Sequence, residues 1–207
     1  MTPDERHLFT IGHSNHPLEK FIELLRRHGV EVVVDTRSQP YSRHAPHFNR
    51  DALRTALAGA GIRYSFLGEE LGGRPRGEEY YDAEGHVRYD RVAGADFFQS
   101  GIARVKRGAA KHRLALLCAE ENPEGCHRRL LIARVLSAHG FTVDHIRGDG
   151  RLEREREFSP AGGERAPVQG TLFDVPEERP WRSIRSVLPR RAPPSSSRPS
   201  GTPGSGG

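Results

Sequence analysis

The sequence predicts an α/β domain of three layers, with a mostly parallel sheet of about five strands, followed by a disordered tail. Three observations predict it. Short apolar runs alternate with stretches of helical periodicity between residues 8 and 147. Two runs, "VEVVVD" and "RLALLC", are apolar without polar alternation, the mark of strands buried on both faces. After Gly150 this pattern stops, and polar then Pro/Ser/Gly-rich sequence takes over. The chain of 207 residues therefore divides into a core, 1–150, and a low-complexity tail, 151–207.

The elements follow in order. "LFTIGH" is a short strand ending at Gly12. "PLEKFIELLRRHG" is a helix: Pro17 suits its start, Leu18, Phe21, Ile22, Leu24 and Leu25 share one face, and Gly29 stops it. "VEVVVDTRS" is a buried strand. "NRDALRTALAGAG" is a helix with Asn49 as its N-cap. "IRYSFLG" is the third strand, and residues 72–95 read as a long loop. A helix "DFFQSGIARVKRGAAK" leads to the fourth strand, "RLALLCAE". "PEGCHRRLLIARVLSAHG" is a helix ending at Gly140, and "FTVDHIRG" is the fifth strand. Strands alternating with helices give a Rossmann-like fold with parallel pairing.

Composition narrows the class of protein. No apolar run approaches the ~18 residues of a membrane span, and the N-terminus has no signal-peptide core. Two cysteines in 207 residues do not make a disulfide framework. These features point to a cytoplasmic chain without membrane contact. The net charge is +5, but residues 1–150 carry 22 Lys/Arg against 20 Asp/Glu. Bulk charge alone therefore does not call for a nucleic-acid partner.

In parallel sheets, ligands bind beyond the carboxyl ends of the strands. Reactive residue types collect there. His13 and Ser14 follow strand one, Asp35 and Arg37 strand two, and Arg74 strand three. Strand four leads into "LLCAEENPEGCHRR", which holds Cys118, Glu120, Cys126, His127 and Arg128. Four chemistries fit that loop. A thiol near arginines and a helix start has a lowered pKa and is a nucleophile. Two thiols with a histidine are potential metal ligands, although the C-x7-C-H spacing matches no common zinc pattern, so no metal is assigned. A helix N-terminus beside Arg74 and Arg128 suits an anion. A redox disulfide needs a suitable Cα separation, which sequence does not give. The candidate catalytic set is Cys118 as nucleophile, Glu120 as general acid/base and His13 as proton carrier. Ser14, Asp35, Arg37, Arg74, Cys126, His127 and Arg128 form the candidate binding set, with Arg37 and Arg128 as anion clamps. Catalysis requires Cys118, Glu120, His13 and Arg37 to converge on one pocket.

Five ordered motifs, "TIGHSN", "VVDTRSQPYSRH", "GIRYSFLGEELGGRP", "LLCAEENPEGCHRRLLIA" and "VDHI", resemble the bacterial and archaeal family known as domain of unknown function 488. The likeness spans about residues 8–147. It implies a compact α/β domain with an active site but no named reaction or cofactor. A more distant likeness is to rhodanese-type sulfurtransferases, which place Asp-x-Arg after one parallel strand and a catalytic Cys after another. That layout implies sulfur transfer by Cys118. The loop here departs from it by being longer, acidic and doubly cysteine-bearing.

The tail carries one apolar island, "QGTLF". Gln169, Leu172 and Phe173 resemble the short peptide by which bacterial repair proteins bind the DNA sliding clamp. An apolar pair on a flexible linker suits such docking. The sequence thus supports an enzyme for a nucleotide, nucleic-acid base or other anion, with DNA repair as its setting if the clamp is a partner. Rhodanese-like sulfur transfer and a non-catalytic nucleotide-binding module are the alternatives.

Overall fold

The computed structural model describes residues 6–155 and 181–187. Strands β1 (His7–Gly12), β2 (Val32–Asp35), β3 (Arg63–Phe66), β4 (Leu114–Cys118), β5 (Thr142–Ile146) and β6 (Leu152–Arg154) form one sheet of order β3-β2-β4-β1-β5-β6. The first five are parallel and β6 is antiparallel to β5. The sheet thus has six strands where the sequence predicts about five. The added strand, "LER", is three residues of mixed polarity on an edge, too short to show periodicity. β2 and β4 are buried at every position, as their unbroken apolar runs require.

Helices α1 (Leu18–Arg27) and α2 (Arg50–Gly59) cover one face. Phe21, Leu24, Leu25, Leu53 and Leu57 pack there on Phe9, Ile11, Val33, Ala115 and Leu117. α3 (Gly68–Leu71), α4 (Tyr89–Gly94), α5 (Asp96–Ala109) and α6 (Arg134–Ala138) follow in chain order. They cover the other face, where Leu71, Val92, Phe98, Ile102 and Leu136 meet Val34, Leu116 and Val143. Chain excursions from β1 and β2 leave to one face and those from β4 to the other, while β4 lies between β1 and β2. That reversal opens a crevice at the carboxyl end of β4.

Local differences from the sequence expectation have physical causes. Asn49 stands at the N-cap of α2, yet its side chain accepts from the Ser42 amide at 2.7 Å instead of capping the helix. The stretch read as a loop over 72–95 contains a 3₁₀ turn at Glu78–Tyr80 and helix α4, anchored by buried Val87, Tyr89 and Val92. The helix expected from Pro123 begins after Cys126, as a π-helical stretch, Arg128–Ala133, that runs into α6. Beyond Gly150, β6 and residues 181–187 pack on the core. Trp181 donates to the Leu130 carbonyl at 2.7 Å, and Ser183 is buried against the Val87 amide. Gln169, Leu172 and Phe173 lie outside the described residues. No described helix is long and apolar enough to cross a membrane.

Candidate functional site

The crevice is built by loops that extend the sheet ladder past its strands. The His13 amide donates to the Cys118 carbonyl at 3.0 Å and the Ser14 amide to Ala119 at 2.8 Å. The Thr36 amide and hydroxyl both bond the Leu117 carbonyl. Gly12 is required at this crossing: a Cβ there would lie 1.7 Å from the Glu120 carbonyl oxygen. Gly73 has a similar role, since its Cβ would fall 2.9 Å from the His127 ring.

The result is a cavity of about 430 Å³. Arg37, Arg74, Cys118, Glu120, Cys126 and His127 line it. His13, Ser14, Asp35 and Arg128 do not line it. Of the four residues required to converge, Cys118, Glu120 and Arg37 meet in the pocket, and His13 is one hydrogen bond behind Arg37.

Arg37 is held by protein acceptors. Its Nε and Nη2 grip both oxygens of buried Asp35, Nη2 also reaches the Phe48 carbonyl, and Nη1 faces His13 Nε2 at 3.1 Å. The His13 Nδ1 lies 2.6 Å from the Ser14 carbonyl, which can only accept, so Nδ1 carries the proton and Nε2 accepts from Arg37. Ser14 presents that carbonyl from a left-handed backbone, φ 46°. Burial, then the Arg37 charge, push His13 down to about 4, so it is neutral at pH 7.

Arg128 is fully buried and binds the Glu120 and Glu121 carbonyls, with its Nε left without a partner among the described residues. Its guanidinium therefore fixes the loop, where the sequence predicts an anion clamp. Arg74 and Arg185, by contrast, are exposed in the cavity wall with no side-chain partner among the described residues.

At the cavity floor, Cys118 Sγ lies 3.0 Å from Cys126 Sγ and 3.7 Å from His127 Nδ1. Both thiols are free. His127 Nε2 faces the Thr36 carbonyl at 3.3 Å, which places a proton on Nε2 and turns Nδ1 toward the sulfurs. The Cys126 thiol bond, followed by the His127 and Arg128 charges, holds Cys118 well below the usual thiol range against its burial. The bond to Cys118, burial and the Cys118 charge push Cys126 up. Burial pulls His127 down, but the Cys118 charge and hydrogen bond outweigh it, and its net shift is upward. Both shifts favour the form with the charge on Cys118 sulfur and a proton on His127 over the neutral pair. The same three side chains are close enough to hold a soft metal ion: their ligand atoms lie within 4.8 Å of one another.

Sequence reasoning missed part of the wall: Ser38, Gln39, Tyr41 and Tyr89, and residues 183 and 185–187 from beyond the tail's start. The one signal for the last of these is Trp181, the chain's single tryptophan, set in polar sequence.

A family model described as "Domain of unknown function DUF488" matches residues 17–135, from the start of α1 into α6. No curated protein and no solved structure matches the chain.

Proposed function

We propose that this chain, which belongs to the family described as Domain of unknown function DUF488, is a cysteine-dependent enzyme acting on a small anion-bearing substrate. The observation that carries this reading is the position of Cys118 Sγ. It sits in the wall of a cavity, 3.7 Å from His127 Nδ1, with the His127 ring and the buried Arg128 guanidinium both favouring its charged form.

The roles follow from placement. Cys118 attacks an electrophilic atom; a new bond to sulfur forms as the bond to the leaving group breaks. His127 holds the thiolate until attack. Glu120, exposed at the mouth, exchanges a proton with the leaving group. Arg74 and Arg185 attract the anion. His13, Asp35 and Arg37 keep the floor in place as positioning residues. The cavity of about 430 Å³ falls within the ~300–1,000 Å³ of small-molecule sites.

Tyr41, in the wall and 69% exposed, offers a face on which a planar part of the substrate, such as a nucleobase, would stack. DNA repair through a sliding clamp rests on Gln169, Leu172 and Phe173 alone. A pull-down comparing the chain with a Leu172→Ala/Phe173→Ala variant decides it; equal recovery removes that setting.

The enzyme reading is tested by alkylating the reduced chain with iodoacetamide across pH and mapping the adduct. Cys118 is expected to react at a rate that reaches its plateau well below pH ~8.5, the ordinary thiol value. A Cys118 that is inert, or reacts only above that value, leaves a non-catalytic binding module.

A further inference from the structure

We infer that Cys126 is a resolving thiol, and that the electrophile taken by Cys118 is divalent sulfur in an anionic disulfide. This inference rests on Cys118 being the nucleophile and names its substrate class.

The geometry comes first. Cys126 Sγ lies 3.0 Å from Cys118 Sγ, inside the same cavity wall. A disulfide bond is about 2.0 Å long, so the two sulfurs must close by about 1 Å to join. Cys126 stands in the irregular segment before the π-helical stretch, where a bend and Gly125 precede it. It is not locked within a regular helix.

The chemistry then selects the substrate. If Cys118 took carbon or phosphorus, its intermediate would need water or an acceptor, and Cys126 would serve only to hydrogen-bond the Cys118 sulfur before attack. If Cys118 takes sulfur, the intermediate is a mixed disulfide, and a neighbouring thiol is the group that resolves it. Arg74 and Arg185 favour a disulfide whose arms bear carboxylate or phosphate.

The exchange balances. The Cys118 thiolate forms a bond to one sulfur of RS–SR′, and the S–S electron pair leaves on R′S⁻, which takes the Cys126 proton. The Cys126 thiolate then attacks Cys118 Sγ and expels RS⁻, which takes a proton from His127. The substrate disulfide is reduced to RSH and R′SH, and the two protein thiols are oxidised to one disulfide. An external dithiol returns the protein to its starting state.

The same proximity opposes stable sulfur carriage. A persulfide on Cys118 would be attacked by Cys126, giving the internal disulfide and hydrosulfide. Rhodanese-like transfer would need that second thiol to be silent.

The test uses the full reduced chain and oxidised glutathione, read by intact mass and peptide mapping. Wild type is expected to lose two hydrogens and keep no adduct, with Cys118 and Cys126 linked. Cys126→Ser is expected to hold a glutathione adduct on Cys118, and Cys118→Ser to form no adduct. Circular dichroism verifies that both variants fold. A stable adduct on wild-type Cys118 with Cys126 free overturns the inference. So does a persulfide that survives on wild-type Cys118 after thiosulfate treatment. If Cys118 still alkylates at low pH in those cases, the nucleophile reading stands alone; if it does not alkylate, both fall.

Discussion

Two histidines flank the same crevice, and they are opposites. His13 follows β1 and His127 follows the Cys118 loop, yet burial and neighbours push His13 down to about 4 and draw His127 upward. Both rings lie near an arginine and a potential anion. The difference is where the anion goes. In the His13 region the carboxylate of Asp35 is taken by Arg37 and Tyr64, and His13 hydrogen-bonds to the arginine of that pair rather than to the carboxylate. In the His127 region the anion is the Cys118 thiolate, which faces the ring directly. The first region is a closed knot that carries structure. The second leaves its sulfur lining the cavity, where the proposed chemistry takes place. Residue type does not separate scaffold from site here; the pairing of charge does.

Breaking the knot gives the largest expected effect. Asp35 is fully buried and accepts from Arg37, the Arg37 amide and the Tyr64 hydroxyl. Asp35→Asn leaves the Arg37 charge buried without its counter-ion, a loss of about 3–5 kcal/mol. Urea unfolding should show that loss, whereas Cys118→Ser should change stability by far less. Equal losses would erase the distinction between the two regions.

The histidines themselves sharpen the comparison through pH. An unfolded histidine titrates near 6.5, whereas His13 in the fold titrates at about 4. Between those values the unfolded chain binds more protons, so stability rises with pH across the window and falls as it is acidified. The full swing is about 3 kcal/mol. Cys118, also shifted down, adds in the same direction as its thiolate protonates, so the measurement belongs in a Cys118→Ser background. There, His13→Gln should flatten the slope between pH 6.5 and 4. The His127–Cys118 pair behaves differently. As an ion pair it holds one proton, the same number as the unfolded imidazole and thiol hold between about 6.5 and 8.5. It gives no stability slope there and shows instead in reactivity. His127→Asn should raise the Cys118 pKa. Its alkylation rate at pH 6 should then fall about tenfold for each pH unit by which the thiol's titration moves above 6.

How far the sequence announces this site depends on the range of the interactions. The strands of the parallel sheet are legible because β2 and β4 bury both faces and must be apolar throughout. The site loop is legible because Cys118, Glu120, Cys126 and His127 lie within ten residues of one another at a strand end. Arg37 and Arg128 look like anion clamps by type and position, but their donors go to Asp35 and to loop carbonyls. Those partnerships depend on side-chain direction, which no spacing specifies. Arg185 is hidden for another reason. It reaches the cavity because Trp181 and Ser183 anchor a short stretch against Leu130 and Val87, contacts with sequence separations of 51 and 96 residues and no periodicity to betray them.

The smallest effect expected is the one that tests the proposed anion-attracting role of Arg74 and Arg185. Arg74 and Arg185 are exposed, so water and salt screen their charges and each is worth well under the buried pairs. Their contribution should be visible only with a charged reagent. Iodoacetate and iodoacetamide react by the same attack of the Cys118 thiolate and differ by one negative charge. Arg74→Gln or Arg185→Gln should slow iodoacetate by about two- to fivefold, while the iodoacetamide rate stays within error. Raising the salt concentration should abolish the difference, because the Debye length falls to ~3 Å at 1 M. A variant that slows both reagents equally would place its arginine in the scaffold with Arg37 and Arg128. An unchanged iodoacetate rate in both variants would mean that the anion is held by the buried charges behind the cavity floor.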